Sequence, residues 1–354
     1  MRSFYDRREV NDAFLRACRR EPADRIPIWF MRQAGRCLPE YRALRAEHEM
    51  FEVMASAELT ALVTEQPVKR FGVDAAVIFS DIVAPLSAAG IDVKLVADVG
   101  PVFANPVRSA EDVSALPRLA DPSASMAGLL GGIAQVASSD NVPVIGFCGG
   151  PFTLASYLVE GGPSRDYAKT KALMLGEPEV WDALMEVLAD IAATSLLAQI
   201  DAGASAIQIF DSWVGALDPD TYRRHAMPAT TAVLERVAAR GVPRIVFGVS
   251  TGELLPLFAE AGADVVGVDW RVPLDQARDR VGPHVAVQGN LDPATCLAGW
   301  PAVETAAQRV LDLAGRTPGH VFNLGWGVLP STDPDVLTQL VDWVHKQPPP
   351  TDAP

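Results

Sequence analysis

The sequence predicts an α/β protein, a single (β/α)8 TIM barrel with loop and hairpin insertions, and three observations carry that prediction. Eight short runs rich in β-branched and aromatic residues recur along the 354 residues, each followed by a longer segment of helical period. The runs are almost continuously apolar, as parallel strands buried on both faces must be. No GxGxxG turn follows the first run, which disfavours an open doubly wound sheet, and no repeat of about 20 to 50 residues suggests a solenoid. Eight strand–helix units are the number that closes a barrel.

In chain order the strands are RIPIWF (25–30), DAAVIF (74–79), VPVIGF (142–147), SAIQIF (205–210), RIVFG (244–248), DVVGV (264–268), HVAVQ (284–288) and HVFNL (320–324). The segments between them include residues 55–71, 179–203, 230–242, 252–263 and 301–315, whose apolar positions repeat every three and four residues, the pattern of helices with one buried face. Between the second and third strands, IDVKLVADVGPVFANPV (91–107) alternates apolar and polar residues around Gly100-Pro101 and reads as an inserted hairpin. No linker interrupts residues 1–345, so they form one domain. The proline-rich tail KQPPPTDAP (346–354) has nothing to pack with and is expected to be disordered.

Composition narrows the function. With 49% hydrophobic and 21% charged residues the chain has material for a large core, and its net charge of −14 argues against general nucleic-acid binding or attraction to anionic membranes. The N-terminus carries charges throughout and lacks a signal-peptide core, so a cytoplasmic protein is expected. Cys18, Cys37, Cys148 and Cys296 have no CxxC spacing, and the five histidines fall on helices or strand starts, so no metal site is expected.

In such a barrel the active site lies at the carboxyl ends of the strands. Those positions are unusually polar here: Arg32, Gln33 and Arg36; Ser80 and Asp81; Cys148 with Gly149 and Gly150; Asp211 and Ser212; Ser250 and Thr251; Asp269 and Trp270; Gln288 and Asn290; Asn323 to Trp326. Arg32 and Arg36 flank Gly35 on the first loop, where two guanidinium groups suit planar recognition of carboxylate or phosphate; pairing with an acid such as Glu40 is the alternative. Asp81 either caps the following helix or, in a pocket that binds an anionic ligand, faces something electropositive. Tyr157 and Ser212 are further candidates, with core packing and capping as their ordinary roles.

These residues sit in longer motifs. MRQAGRCLPEYR (31–42) resembles the first signature of the uroporphyrinogen decarboxylase family, and GFCGGPFTLASYLVEGG (146–162) resembles its second. FSDI (79–82), FDSW (210–213), GVDW (267–270) and QGNLDP (288–293) agree with its other blocks in order and spacing. The resemblance implies a cytoplasmic, homodimeric barrel that removes CO2 from the four acetate arms of uroporphyrinogen III to give coproporphyrinogen III, with no cofactor or metal. Carried onto this chain, it implies substrate binding by Arg32, Gln33, Ala34, Gly35, Arg36, Asp81, Tyr157, Ser212 and Trp326, with Asp81, Arg32 and Arg36 catalytic. At Trp326 the chain departs from the family, which usually has histidine there: NLGWG replaces NLGHG. An indole donates one hydrogen bond but neither titrates nor accepts, so the exchange is either tolerated or weakens the enzyme. Two other readings are a non-catalytic tetrapyrrole binder and a corrinoid or thiol methyltransferase of the same superfamily, whose zinc ligands are missing from FGVST (247–251).

Overall fold

The computed structural model of the chain describes residues 11–96, 99–139 and 142–351. Residues 1–10, read above for a signal peptide, and 352–354, the end of the tail expected to be disordered, lie outside them.

Seven strands form one parallel sheet, in the order β1 (Ala76–Val77), β4 (Val144–Gly149), β5 (Ala206–Phe210), β6 (Arg244–Phe247), β7 (Val265–Gly267), β8 (Ala286–Gln288) and β9 (His320–Val321). The inserted pair β2 (Val93–Val96) and β3 (Gly100–Phe103) forms a separate antiparallel hairpin. Its turn precedes Gly100, and Pro101 pairs with Leu95 within the ribbon. A two-stranded ribbon consists of edges, which is where a strand tolerates a residue with no N–H.

The eighth barrel position is filled by the first apolar run, though it is not a regular strand. Ile28 bridges Phe322 in parallel, and the Phe322 amide donates to the Pro27 carbonyl at 2.8 Å. On the other side the Asp74 amide donates to the Ile28 carbonyl at 2.8 Å, while the Asp74 carboxylate accepts the Ile28 amide at 2.7 Å. Pro27 removes one ladder donor, and a side chain replaces part of the ladder at the seam. Inside the barrel a polar chain crosses the core: Trp29 Nε1 donates to Gln288 Oε1 at 2.9 Å, and Gln288 Nε2 donates to Gln208 Oε1 at 3.1 Å.

Helices cover the outside. The helix Ala57–Phe71 starts at Ser56, whose hydroxyl accepts the Leu59 amide, and stops at Gly72 in a left-handed conformation, φ 71°. Pro39 opens the helix Pro39–Glu47, as its fixed φ and missing donor suit a first turn. The helix anticipated over 252–263 shortens to Leu255–Glu260, because Pro256 belongs in a first turn and cannot continue an earlier one. One helix among the described residues, Pro178–Asp201, has the length and hydropathy to cross a membrane. Here 61% of its most apolar window is buried, with Trp181, Leu184, Leu188 and Ile191 inside the fold. The chain's last described residue, Thr351, donates its amide to the Arg316 carbonyl at 2.9 Å.

Candidate active site

The loop after Trp29 is held from below. Gln33 is fully buried, and its side chain is committed to backbone: Oε1 accepts the Phe30 amide at 3.1 Å and Nε2 donates to the Ala75 carbonyl at 3.0 Å. Gln33 therefore braces the loop across the barrel seam, and its side chain does not line the mouth. The Met31 amide reaches Asn323 Oδ1 at 3.3 Å, and the Val328 amide reaches the Met31 carbonyl at 2.9 Å, which ties this loop to the one after β9. Ala34 packs partly buried on the core, and a Cβ on Gly35 would stand 2.7 Å from the Arg32 carbonyl, so the turn excludes a side chain there. Arg36 is exposed, its carbonyl accepts Arg42 Nη1 at 2.8 Å, and Glu40 is paired with Arg70 at 3.4 Å.

Arg32 sits in the left-handed region at φ 60°, and its guanidinium lies over Trp326 with Cζ 5.3 Å from the ring centroid. Trp326 in turn stacks on Phe247 at 5.9 Å and 29°. The residue that departs from the family pattern thus has a defined place, fixed by one aromatic neighbour and presenting its π face to a cation. Gly327 leaves room for that arrangement, since a Cβ there would fall 2.6 Å from Arg32 Cδ.

Asp81 lies beyond the end of β1. Its Oδ1 accepts the Val83 amide at 2.9 Å, forming a tight turn one residue before the helix Ala84–Ala88. Burial pushes the Asp81 carboxyl above the ordinary aspartate value, against the pull of the Val83 amide and the Arg32 charge. Tyr157 is raised by burial and next by the Asp81 charge, while Arg32 acts in the opposite sense. Arg32, Asp81 and Tyr157, chosen from three separate stretches of sequence, therefore share one electrostatic neighbourhood. The Tyr157 ring rests on Trp213 with centroids 3.9 Å apart.

Ser212 and Trp326 line a cavity of about 410 Å3 together with Arg165, Tyr167, Trp213 and Trp270. Asp211, the residue before Ser212, is fully buried and holds this stretch in place: its Oδ1 accepts the Thr153 amide at 2.9 Å and the Thr153 hydroxyl at 2.6 Å, and the Thr153 oxygen accepts the Trp213 amide at 3.1 Å. A Cβ on Gly150 would lie 2.4 Å from the Asp211 side chain, so a glycine is required for this contact. Burial pushes Asp211 up to about 6, with the Thr153 bonds working against it. Next to this cavity, and sharing Ser250 with it, is a second of about 340 Å3, where Arg271 lies over Trp270 at 3.9 Å and pairs with Asp269 at 2.9 Å.

The strand ends do not reveal Arg165 and Tyr167, because these two lie on a loop between two helices. The usable signal was the Gly161-Gly162 pair, which ends the helix Pro151–Glu160 with φ 84° at Gly161 and turns the chain back to the mouth. Among the described residues no group of three His, Cys, Asp or Glu side chains is placed to hold a metal.

Comparison with known proteins shows the family and the fold. Residues 9–347 match the family model described as uroporphyrinogen decarboxylase (URO-D). A protein named uroporphyrinogen decarboxylase from Streptomyces coelicolor is 58% identical over 337 residues, covering 95% of this chain and 95% of that one. Its namesake from Nocardia farcinica is 55% identical over 350 residues, covering 97% and 99%. Among solved structures, a methyltransferase from Methanosarcina mazei superposes with a TM-score of 0.78 over 95% of this chain and 98% of its own, at 17% identity, which speaks for the fold alone.

Proposed function

Because the chain belongs to the uroporphyrinogen decarboxylase family, we propose that the cluster at the barrel mouth is where that family's chemistry occurs in this protein. The chain is a decarboxylase of porphyrin biosynthesis. It converts the four acetate arms of uroporphyrinogen III to methyls and yields coproporphyrinogen III and four CO2. The observation that carries the assignment of roles is the place of Asp81 just beyond the end of β1, its Oδ1 held by the Val83 amide at 2.9 Å and its charge felt by Tyr157 and opposed by Arg32.

The substrate is anionic at its rim, with eight carboxylates, and donor-rich at its centre, with four pyrrole N–H groups. Asp81 accepts those central donors. Protonation of a pyrrole carbon beside an acetate arm creates a cationic ring that takes up the electrons released with CO2, and Asp81 stabilises the cation as it forms. A carboxylate that is costly to keep ionised in the empty site gains most when that charge appears beside it. Arg32 and Arg36 hold side-chain carboxylates and so orient the reacting arm, Arg32 steadied by Trp326. Tyr157 and Ser212 flank the ring, while Gln33, Ala34 and Gly35 shape the arginine loop. A cytoplasmic homodimer, the arrangement the sequence resemblance implies, completes the proposal.

Asp81→Ala tests the role. It should lower kcat on uroporphyrinogen at least a hundredfold while changing substrate affinity less than tenfold, measured by single-turnover kinetics and equilibrium binding. Equal losses in both would remove Asp81 from the transition state and make it a binding group only.

A further inference from the structure

Arg165 is one of the residues that line the 410 Å3 cavity directly. It is carried by the loop between the helices Pro151–Glu160 and Ala168–Gly176, well removed in sequence from the loop that bears Arg32 and Arg36. That loop is tied down on both sides. The Gly161 carbonyl accepts the Phe103 amide at 3.0 Å, the Ser164 hydroxyl accepts the Tyr167 amide at 3.0 Å, and the Tyr167 ring lies 5.3 Å from that of Trp213. Beyond the loop, Glu160 Oε1 accepts the Thr170 amide at 2.9 Å, joining the two helices across it.

The arginine itself has no such anchor. It is exposed at the rim, and among the described residues its side chain makes no ion pair or hydrogen bond, although the chain has 44 acidic residues against 30 basic ones. Of the other cations nearby, Arg32 lies over Trp326 and Arg271, in the adjoining cavity, is committed to Asp269 and Trp270. An unpaired guanidinium on a fixed loop, facing a cavity walled by indole rings, is a site for a carboxylate attached to an aromatic body.

We propose that Arg165 is a specificity-determining residue that binds a rim carboxylate of the substrate, separately from Arg32 and Arg36. This rests on the decarboxylase reading above and adds a second point of attachment to it. A ring gripped from one loop only is free to pivot about that loop; a second cation fixes which arm is presented to Asp81. The role is one of binding and orientation, and Arg165 takes no part in the proton or electron flow.

The test compares the unaltered enzyme with Arg165→Gln and Arg165→Lys on uroporphyrinogen III, reading KM, kcat and the proportions of seven-, six- and five-carboxylate intermediates. A charge-assisted hydrogen bond at a partly open rim is worth about a factor of ten. Gln should therefore raise KM about tenfold, lower kcat less than threefold and change the intermediate proportions, while Lys recovers at least half of the affinity. The gap between the unaltered enzyme and Gln should narrow as salt rises from about 0.05 to 0.5 M, on the order of severalfold, as screening requires. A KM within twofold of the unaltered enzyme at low salt, or a loss the same at both salt concentrations, would overturn the proposal. Thermal melts separate a binding loss from misfolding: both variants should melt with the unaltered enzyme, since the side chain makes no contact that the fold needs. Failure of the unaltered enzyme to decarboxylate would instead refute the reading on which the proposal rests.

Discussion

Replacing Asp74 by alanine tests whether a side chain holds the barrel closed. The carboxylate is fully buried and accepts from the Ile28 amide at 2.7 Å, Asn11 Nδ2 at 2.6 Å and His345 Nε2 at 2.8 Å, besides pairing with Arg25. Alanine leaves the Ile28 N–H buried without an acceptor, a loss of about 1–3 kcal/mol. It also removes the partner of Arg25, and breaking a buried ion pair costs about 3–5 kcal/mol. Arg25 keeps 34% of its side-chain surface and His345 19%, so water restores much of the second loss. The expected total is about 3 kcal/mol, read as a shift of the urea midpoint. At roughly 2.1 cal/mol/K per residue it lowers Tm by about 4 °C for a chain of 354 residues. Asp74→Asn keeps an acceptor for Ile28 and should lose about half as much. An alanine loss below about 1 kcal/mol, within the range of an ordinary surface change, would refute the seam argument, as would an asparagine loss equal to that of alanine.

The pH dependence has a definite sign. Burial pushes Asp74 up, but His345, Arg25 and Asn11 together outweigh it and hold the carboxyl below the usual aspartate value. A depressed folded value makes the contribution complete above the unfolded value of about 3.9, and it is lost as pH falls through the folded value. The difference between unaltered protein and Asp74→Asn should therefore persist to about pH 4 and shrink only below it.

Other outcomes follow from the mouth of the barrel. Trp326→Leu should lower kcat/KM about 2–5-fold, the worth of an exposed cation–π contact of about 0.5–1 kcal/mol, and Trp326→Phe less than twofold, by steady-state assay. Asp211 behaves in the opposite sense to Asp74: its folded value, raised to about 6, makes its stabilising contribution complete below the unfolded value and lost as pH rises through 6. Urea unfolding of the unaltered protein should show a stability loss of about 2 kcal/mol between pH 4 and pH 7 through this group, and Asp211→Asn should flatten that slope. Gly327→Ala places a methyl against the Arg32 stem and should raise KM severalfold with little change in Tm.

The strand–helix alternation was legible because buried parallel strands have a distinctive composition, and so were the loop arginines and Asp81, because barrels place function at strand ends. Gln33 shows where that rule stops: it occupies a strand end and a family motif, yet its amide is spent on the Phe30 and Ala75 backbone. Nothing local in RIPIWF reveals that its ladder is completed by the Asp74 carboxylate, since the partner is 46 residues away. Arg165 was hidden for a similar reason, its approach to the mouth being set by the path of the chain after Gly161. Trp326 was legible as an anomaly, and only its stacking between Phe247 and Arg32 shows what an indole does there.

The most direct test is incubation of the purified chain with uroporphyrinogen III in the dark under reducing conditions, followed by oxidation and chromatography of the products. Coproporphyrin should accumulate, preceded by seven-, six- and five-carboxylate porphyrins, and Asp81→Ala should abolish the series while still binding substrate. Unchanged eight-carboxylate porphyrin with the unaltered protein would contradict the account.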